Sequence, residues 1–255
     1  MSRRRAARTA VALVTGSIIA AGCGGGNPTV ATSIDVFAAA SLTDAFAELA
    51  DAYEQTSPAV TVRLNLAGSN ALATQLIEGA PGDVFASADT ATMDRAQQGG
   101  VVDNPTVFAQ NHLALVVAEG NPGEVGSLQD LARDDLTVVL CAEEVPCGRA
   151  ARLLLDRSDL VATADSLEPN VRAVLGKVAL GEADAGLVYR TDLQSILGRE
   201  VDEVPLRPDQ GVTVELSIGA VTASDRASLG RSFIDFVLST QGQAILTDLG
   251  FDVRT

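Results

Sequence analysis

An α/β fold of two lobes joined by two crossings is the architecture this chain predicts, and three features predict it. Apolar runs of strand length alternate with helical patterns from Ile34 to Gln98, as in a parallel α/β unit. A strand-like segment from Asn111 to Ala118 leads from that unit into a second one, built around Leu136, Cys147, Val171 and Ala185 to Tyr189. Val212 to Ala220 offers the way back, and Arg226 to Leu249 supplies closing helices with Phe233, Phe236, Val237, Ile245 and Leu249 turned inward. Two crossings of this kind make a hinge.

Each element has its own signal. Ile34, Val36 and Phe37 form a short buried strand, and Leu42, Ala45, Phe46, Leu49 and Tyr53 then recur on one helical face. Ser41 stands at the joint with Asp44 three residues on, the pattern of an N-cap with a shortened capping box. Such a hydroxyl either only caps or also helps hold an anion, because a helix N-terminus presents unpaired N–H groups and the positive end of its dipole. Val60 to Leu66 alternates as a strand, Ala67-Gly68-Ser69-Asn70 follows, and Leu72, Leu76 and Ile77 begin another helix. Asp83 to Ser87 reads as the next strand. Leu136 to Cys141 is a buried strand broken by EEVPCG, so that Cys147 and Gly148 open the helix that runs through Arg149 to Asp156. Asn170 is placed to cap a helix carrying Val171, Val174, Leu175 and Val178. Ligands of open α/β sheets bind beyond the carboxyl ends of strands, so four such strand-to-helix joints predict one site.

The runs VFAAASLTDAF, AGSNALATQLIEGAPGDVFASAD, EEVPCGRAA, EPNVRAVL and AGLVY resemble the periplasmic molybdate-binding proteins of ABC importers, from about Ile34 to Phe251. The resemblance implies a type II periplasmic-binding-protein fold with its ligand cleft at the hinge. On this reading lobe I comprises 34–110 and 216–255, and lobe II comprises 111–215. It also implies the oxyanion ligands: Ser41 and Ser69 through hydroxyl and backbone N–H, Cys147 and Val171 through backbone N–H, and Tyr189 through its hydroxyl. The family usually carries Ala where this chain has Cys147, a departure that leaves the main-chain donor in place. The implied function is capture of molybdate, with tungstate, and its delivery to a membrane ABC permease by a monomer without a cofactor. Molybdenum then enters only as the bound oxyanion. The alternatives are another oxyanion such as sulfate, or a ligand-sensing lipoprotein that docks on a receptor.

The N-terminus predicts export. Arg3, Arg4, Arg5 and Arg8 form a basic segment, Val11 to Ala21 an apolar one of secretory length, and Ala20-Ala21-Gly22-Cys23 resembles a lipoprotein cleavage box. The apolar stretch is short for a membrane span, which needs about 20 residues. Residues 1–22 are therefore expected to be removed, Cys23 to carry lipid on the extracytoplasmic face of the membrane, and 23–33 to form a flexible tether. Ordinary signal-peptidase cleavage with Cys23 incidental is the alternative.

Composition and charge exclude other classes. The formal net charge is −15, and loss of residues 1–22, with four arginines and no acids, leaves −19, which argues against nucleic acid and anionic membrane surfaces. An anion site on such a chain has to work through directed dipoles in a closed cleft, where local hydrogen bonds outweigh distant, screened carboxylates. With Cys23 set aside, Cys141 and Cys147 are either a disulfide, which an extracytoplasmic compartment permits, or two buried thiols. Catalysis has little to stand on. His112 is the single histidine, Lys177 the single lysine, and neither a G-x-S-x-G elbow nor a P-loop occurs.

Overall fold

The computed structural model describes residues 32–195 and 197–253, so the expected signal peptide, Cys23 and all but the end of the tether lie outside the described residues. The chain runs β1 (Thr32–Ala39), a 3-10 turn (Ala40–Leu42), α1 (Thr43–Thr56), β2 (Val60–Ala67), α2 (Ser69–Ile77), β3 (Val84–Ser87), α3 (Thr90–Gln98) and β4 (Val102–Ala118). It continues through β5 (Val138–Cys141), α4 (Pro146–Arg157), β6 (Ser166–Glu168), α5 (Val171–Ala179), β7 (Ala185–Tyr189), β8 (Val201–Val204), β9 (Thr213–Val221), α6 (Ala227–Leu238) and α7 (Thr240–Asp248). The strands form one mixed sheet in the order β2-β1-β3-β9-β4-β7-β5-β6, with β8 also paired to β4.

β4 is the strand that joins the two lobes. Its residues from Val102 to His112 pair antiparallel with β9, whereas Leu113 to Ala118 pair with β7 and β8. The first lobe holds β1, β2 and β3 in parallel, and the second holds β5, β6 and β7 in parallel. The chain returns between Val204, the end of β8, and Thr213, the start of β9. His112 lies at the change of partner, with Nε2 2.6 Å from Asp252 Oδ2 and Nδ1 3.1 Å from Thr213 Oγ1, so the single histidine ties the crossing strands together.

Burial follows the apolar patterns. β1 is buried from Ile34 to Ala39 except at the half-buried Asp35, because helices cover both faces of the parallel strands. Phe46 of α1 packs edge-on against Phe108 at 6.0 Å and Phe233 at 6.2 Å, and Tyr53 meets Phe233 at 5.3 Å. Rings fully removed from water contribute about 1.5–3 kcal/mol each, so this cluster holds the returning α6 onto the first lobe. Phe37, Leu72, Phe85 and Met93 form a second core under α2 and α3.

Three local expectations change. Ser41 is no N-cap: it lies inside the 3-10 turn, the residue before α1 is Leu42, and no side chain caps either start. Asp44 makes no capping box with it. β4 begins at Val102, nine residues before the expected Asn111, because Asn104 at φ 44° and two register shifts against β9 hide the alternation from view. The helix after β5 opens at Pro146, which suits a first-turn position where no N–H partner is needed, so Cys147 is its second residue.

Candidate functional site

The carboxyl ends of β1, β2, β3, β5, β6 and β7 meet at one small cavity. Its lining includes all five residues singled out from the sequence: Ser41, Ser69, Cys147, Val171 and Tyr189. The cavity is small, about 20 Å³, on the scale of a compact ion. All five residues are buried, none more than 4% exposed.

Four helix starts supply the donors. The turn Ala40–Leu42 leads into α1, Ser69 is the first residue of α2, Cys147 the second of α4 and Val171 the first of α5. The first N–H groups of a helix have no partner within it, and their summed dipoles favour negative charge. Asn170 caps α5 by accepting from Ala173 N–H at 3.1 Å, which leaves the N–H groups before Ala173 to others.

The hydroxyls are poised in the same sense. Ser41 Oγ and the Tyr189 hydroxyl are buried without a hydrogen-bond partner. Ser69 Oγ accepts from Ala88 N–H at 3.1 Å, so its proton remains to be donated. Burial pushes the Tyr189 hydroxyl well above the ordinary phenol value, aided by the Asp89 and Asp192 charges, and it keeps its proton at neutral pH. Each unmet buried hydroxyl costs about 1–3 kcal/mol. Two on the wall of one cavity mark it as a place where an acceptor-rich ligand belongs. No Lys or Arg lines it.

Cys141 and Cys147 are joined by a disulfide that spans the turn from β5 to α4. The turn is tight: a Cβ at Gly148 would stand 1.9 Å from Ala142 O, so only glycine lets α4 start there. Gly68 faces a similar limit from the other lobe, since its Cβ would lie 2.5 Å from Pro169 O.

Sequence reasoning missed the charges around the cavity. Arg172 Nη2 donates to Asp44 Oδ2 at 2.6 Å, and its Nε lies 2.9 Å from the buried Asp192. Arg149 Nη2 donates to Asp89 Oδ2 at 2.6 Å. Burial pushes the Asp192 carboxyl up to about 7, against the pull of Arg172 and the Tyr189 N–H. One signal was available, an arginine in the first turn of each helix. Among the described residues no group of three or more His, Cys, Asp or Glu gathers in a metal-ligand arrangement.

Residues 34–252 match the family of bacterial extracellular solute-binding proteins. The chain is 42% identical over 222 residues to a protein named molybdate-binding protein ModA from Mycobacterium tuberculosis H37Rv, covering 87% of this chain and 85% of that one. A solved periplasmic molybdate-binding protein from Azotobacter vinelandii superposes with a TM-score of 0.72 at 19% identity, over 87% of this chain and all of the other. The sulfate-binding protein SubI from Mycobacterium tuberculosis H37Rv gives 0.75 at 18% identity over 86% of each. At those identities the two structures speak for the fold alone.

Proposed function

The chain belongs to the bacterial extracellular solute-binding proteins, and on that premise we propose that it captures molybdate, and tungstate with it, between its lobes and delivers the ion to an ABC permease. The observation that carries this reading is the pair of partnerless buried hydroxyls, Ser41 and Tyr189, on a cavity ringed by helix N-termini and free of cationic side chains. The 42% identity to a protein named for molybdate binding supports the same ion.

The ligand set is Ser41 and Ser69 through hydroxyl and N–H, Cys147 and Val171 through N–H, and Tyr189 through its hydroxyl. Lobe I is 34–110 with 216–255, and lobe II is 111–215. Residues 1–22 direct export, Cys23 carries the lipid anchor, and the protein works as a monomer on the extracytoplasmic face. No helix among the described residues is long and apolar enough to cross a membrane.

The donors set selectivity. Molybdate, tungstate and sulfate are dianions without a proton near neutral pH and accept on every side. Phosphate keeps a proton that finds no acceptor among hydroxyls and N–H groups, at a penalty of about 1–3 kcal/mol when buried. Sulfate is smaller, so donors set for molybdate stand too far from it. Competition calorimetry on the mature chain tests this: one site per chain shared by molybdate and tungstate, far weaker sulfate, and no detectable phosphate. Sulfate or phosphate bound as tightly as molybdate overturns the reading.

A further inference from the structure

Arg149 and Arg172 flank the cavity without lining it. Arg172 follows Val171 in the first turn of α5, and Arg149 follows Cys147 by two residues in the first turn of α4. A cation there faces the positive end of the helix dipole, an unfavourable place until a carboxylate meets it. Both arginines are met, and in each case from the other lobe. Arg172 holds Asp44 of α1, which stands three residues past Ser41. Arg149 holds Asp89, the cap of α3, through Nε at 2.8 Å and Nη2 at 2.6 Å, and also donates to Thr92 Oγ1 at 2.7 Å.

We propose that these two contacts are latches that hold the cleft shut and set how long the anion stays. Arg149 and Arg172 act as positioning residues that never touch the ion. The inference rests on the proposed function and concerns the regulation of that same site. Three observations carry it. Each latch joins an arginine one or two residues past a ligand position in one lobe to a carboxylate beside the cavity in the other: Asp44, three residues past Ser41, and Asp89, which follows the cavity-lining Ala88. Each is shielded on one side, with Arg172 19% exposed against Asp44 at 47% and Asp89 14% exposed against Arg149 at 34%, so solvent and salt reach the pair mainly from one partner. The contact of Gly68 with Pro169 shows the lobes meeting backbone to backbone beside them. A contact made only when the lobes are shut lowers the closed state and slows escape, while encounter with the open cleft is unaffected.

The test uses the mature chain with Asp44→Asn, Asp89→Asn and the double variant. Asn at 89 still caps α3, and Asn at 44 leaves Arg172 on Asp192. Stopped-flow chase of bound molybdate is expected to show release about three- to tenfold faster for each single variant and faster again for the double, with association unchanged. Raising salt from about 0.05 to about 0.5 M should speed release from the parent and not from the double variant. Asp44→Glu and Asp89→Glu should recover part of the loss. Small-angle scattering without any anion gives a reading independent of ligand identity: the double variant should have the larger radius of gyration. A parent that binds no molybdate overturns the proposed function, and the scattering comparison still decides the latches. Parental release rates, or equal radii, overturn the latches.

Discussion

β1 and β3 carry buried or half-buried polar groups at both ends, and the two ends are finished differently. Toward the amino ends Asp35 and Asp83 bond each other twice, Asp35 N–H donating to the Asp83 carboxylate Oδ2 at 2.7 Å and Asp83 N–H to the Asp35 carbonyl at 2.8 Å. Arg226 then reaches Asp83, Asp35 and the Ser33 carbonyl, and Arg63 holds Asp35 from outside. Past the carboxyl end of β1 the Ser41 hydroxyl has no partner, and neither has the Tyr189 hydroxyl, which ends β7 on the opposite wall of the same cavity. One end is full of charge and fully paired, whereas the other has no charged lining and is left unpaired. Buried polar groups are normally satisfied, so the paired end reports on stability and the unpaired end on a ligand.

Substitutions at the two ends should therefore separate stability from binding. The largest effect is expected from Asp83→Ala, which strips a 1% exposed carboxylate from Arg226, Ser224 and the Asp35 N–H. Urea unfolding should show a loss of about 3 kcal/mol, with molybdate affinity near the parent's in the folded fraction. A variant with parental stability and lost binding would break the comparison. Next come Ser41→Ala and Ser69→Ala. Each removes a donor to a charged ligand, about 1.5–3 kcal/mol, and titration should show roughly ten- to a hundredfold weaker molybdate binding. The thermal midpoint without anion should hold or rise for Ser41→Ala, because an unmet hydroxyl has gone. Cys147→Ala should change affinity by about threefold at most, since the N–H survives, and mass spectrometry of the unreduced parent should find Cys141 and Cys147 two hydrogens lighter than the dithiol.

The smallest effect lies at the paired end. Hydrogen bonding to Arg63 holds the Asp35 carboxyl below its ordinary value, outweighing burial, with Arg226 adding to the pull. A depressed native value means stability that is present above the unfolded carboxylate value, about 3.9, and is lost as pH falls through the native one. Arg63→Ala should move the acid unfolding midpoint slightly upward, read by circular dichroism. An unchanged midpoint would show that Arg226 alone serves Asp35.

Much of this was legible in the chain. The run into Ser41, the strand Ala185–Tyr189 and the cap at Asn170 are local patterns, and the structure has them where periodicity places them. β6 and β8, of three and four residues, are too short for any period, and the first half of β4 is defined by its pairing with β9 a hundred residues away. The hydroxyl of Ser41 was legible as a residue at a joint, but its partnerless state was not, because what is missing depends on every neighbour the fold brings near. Arg149 and Arg172 could have been noticed as cations in the wrong turn of their helices. Their partners, 60 and 128 residues away, belong to tertiary structure alone.

Gly68 sits at φ −59° and ψ 135°, ordinary backbone open to any residue, so its bare Cα answers to space alone. Where it meets the Pro169 carbonyl, covalent main chain abuts covalent main chain, and no rotamer can swing aside to let the jaws come nearer. On the proposed closure this contact would act as a stop, and the gap at that stop as a gauge of ionic radius. An ion below gauge leaves its donors short of contact however hard the lobes press. One above gauge props the jaws apart and keeps Arg149 and Arg172 from their carboxylates. On the proposed latches, a difference of tenths of an ångström in the cargo would be translated into a difference in dwell time, by a position whose whole contribution is an atom it does not have.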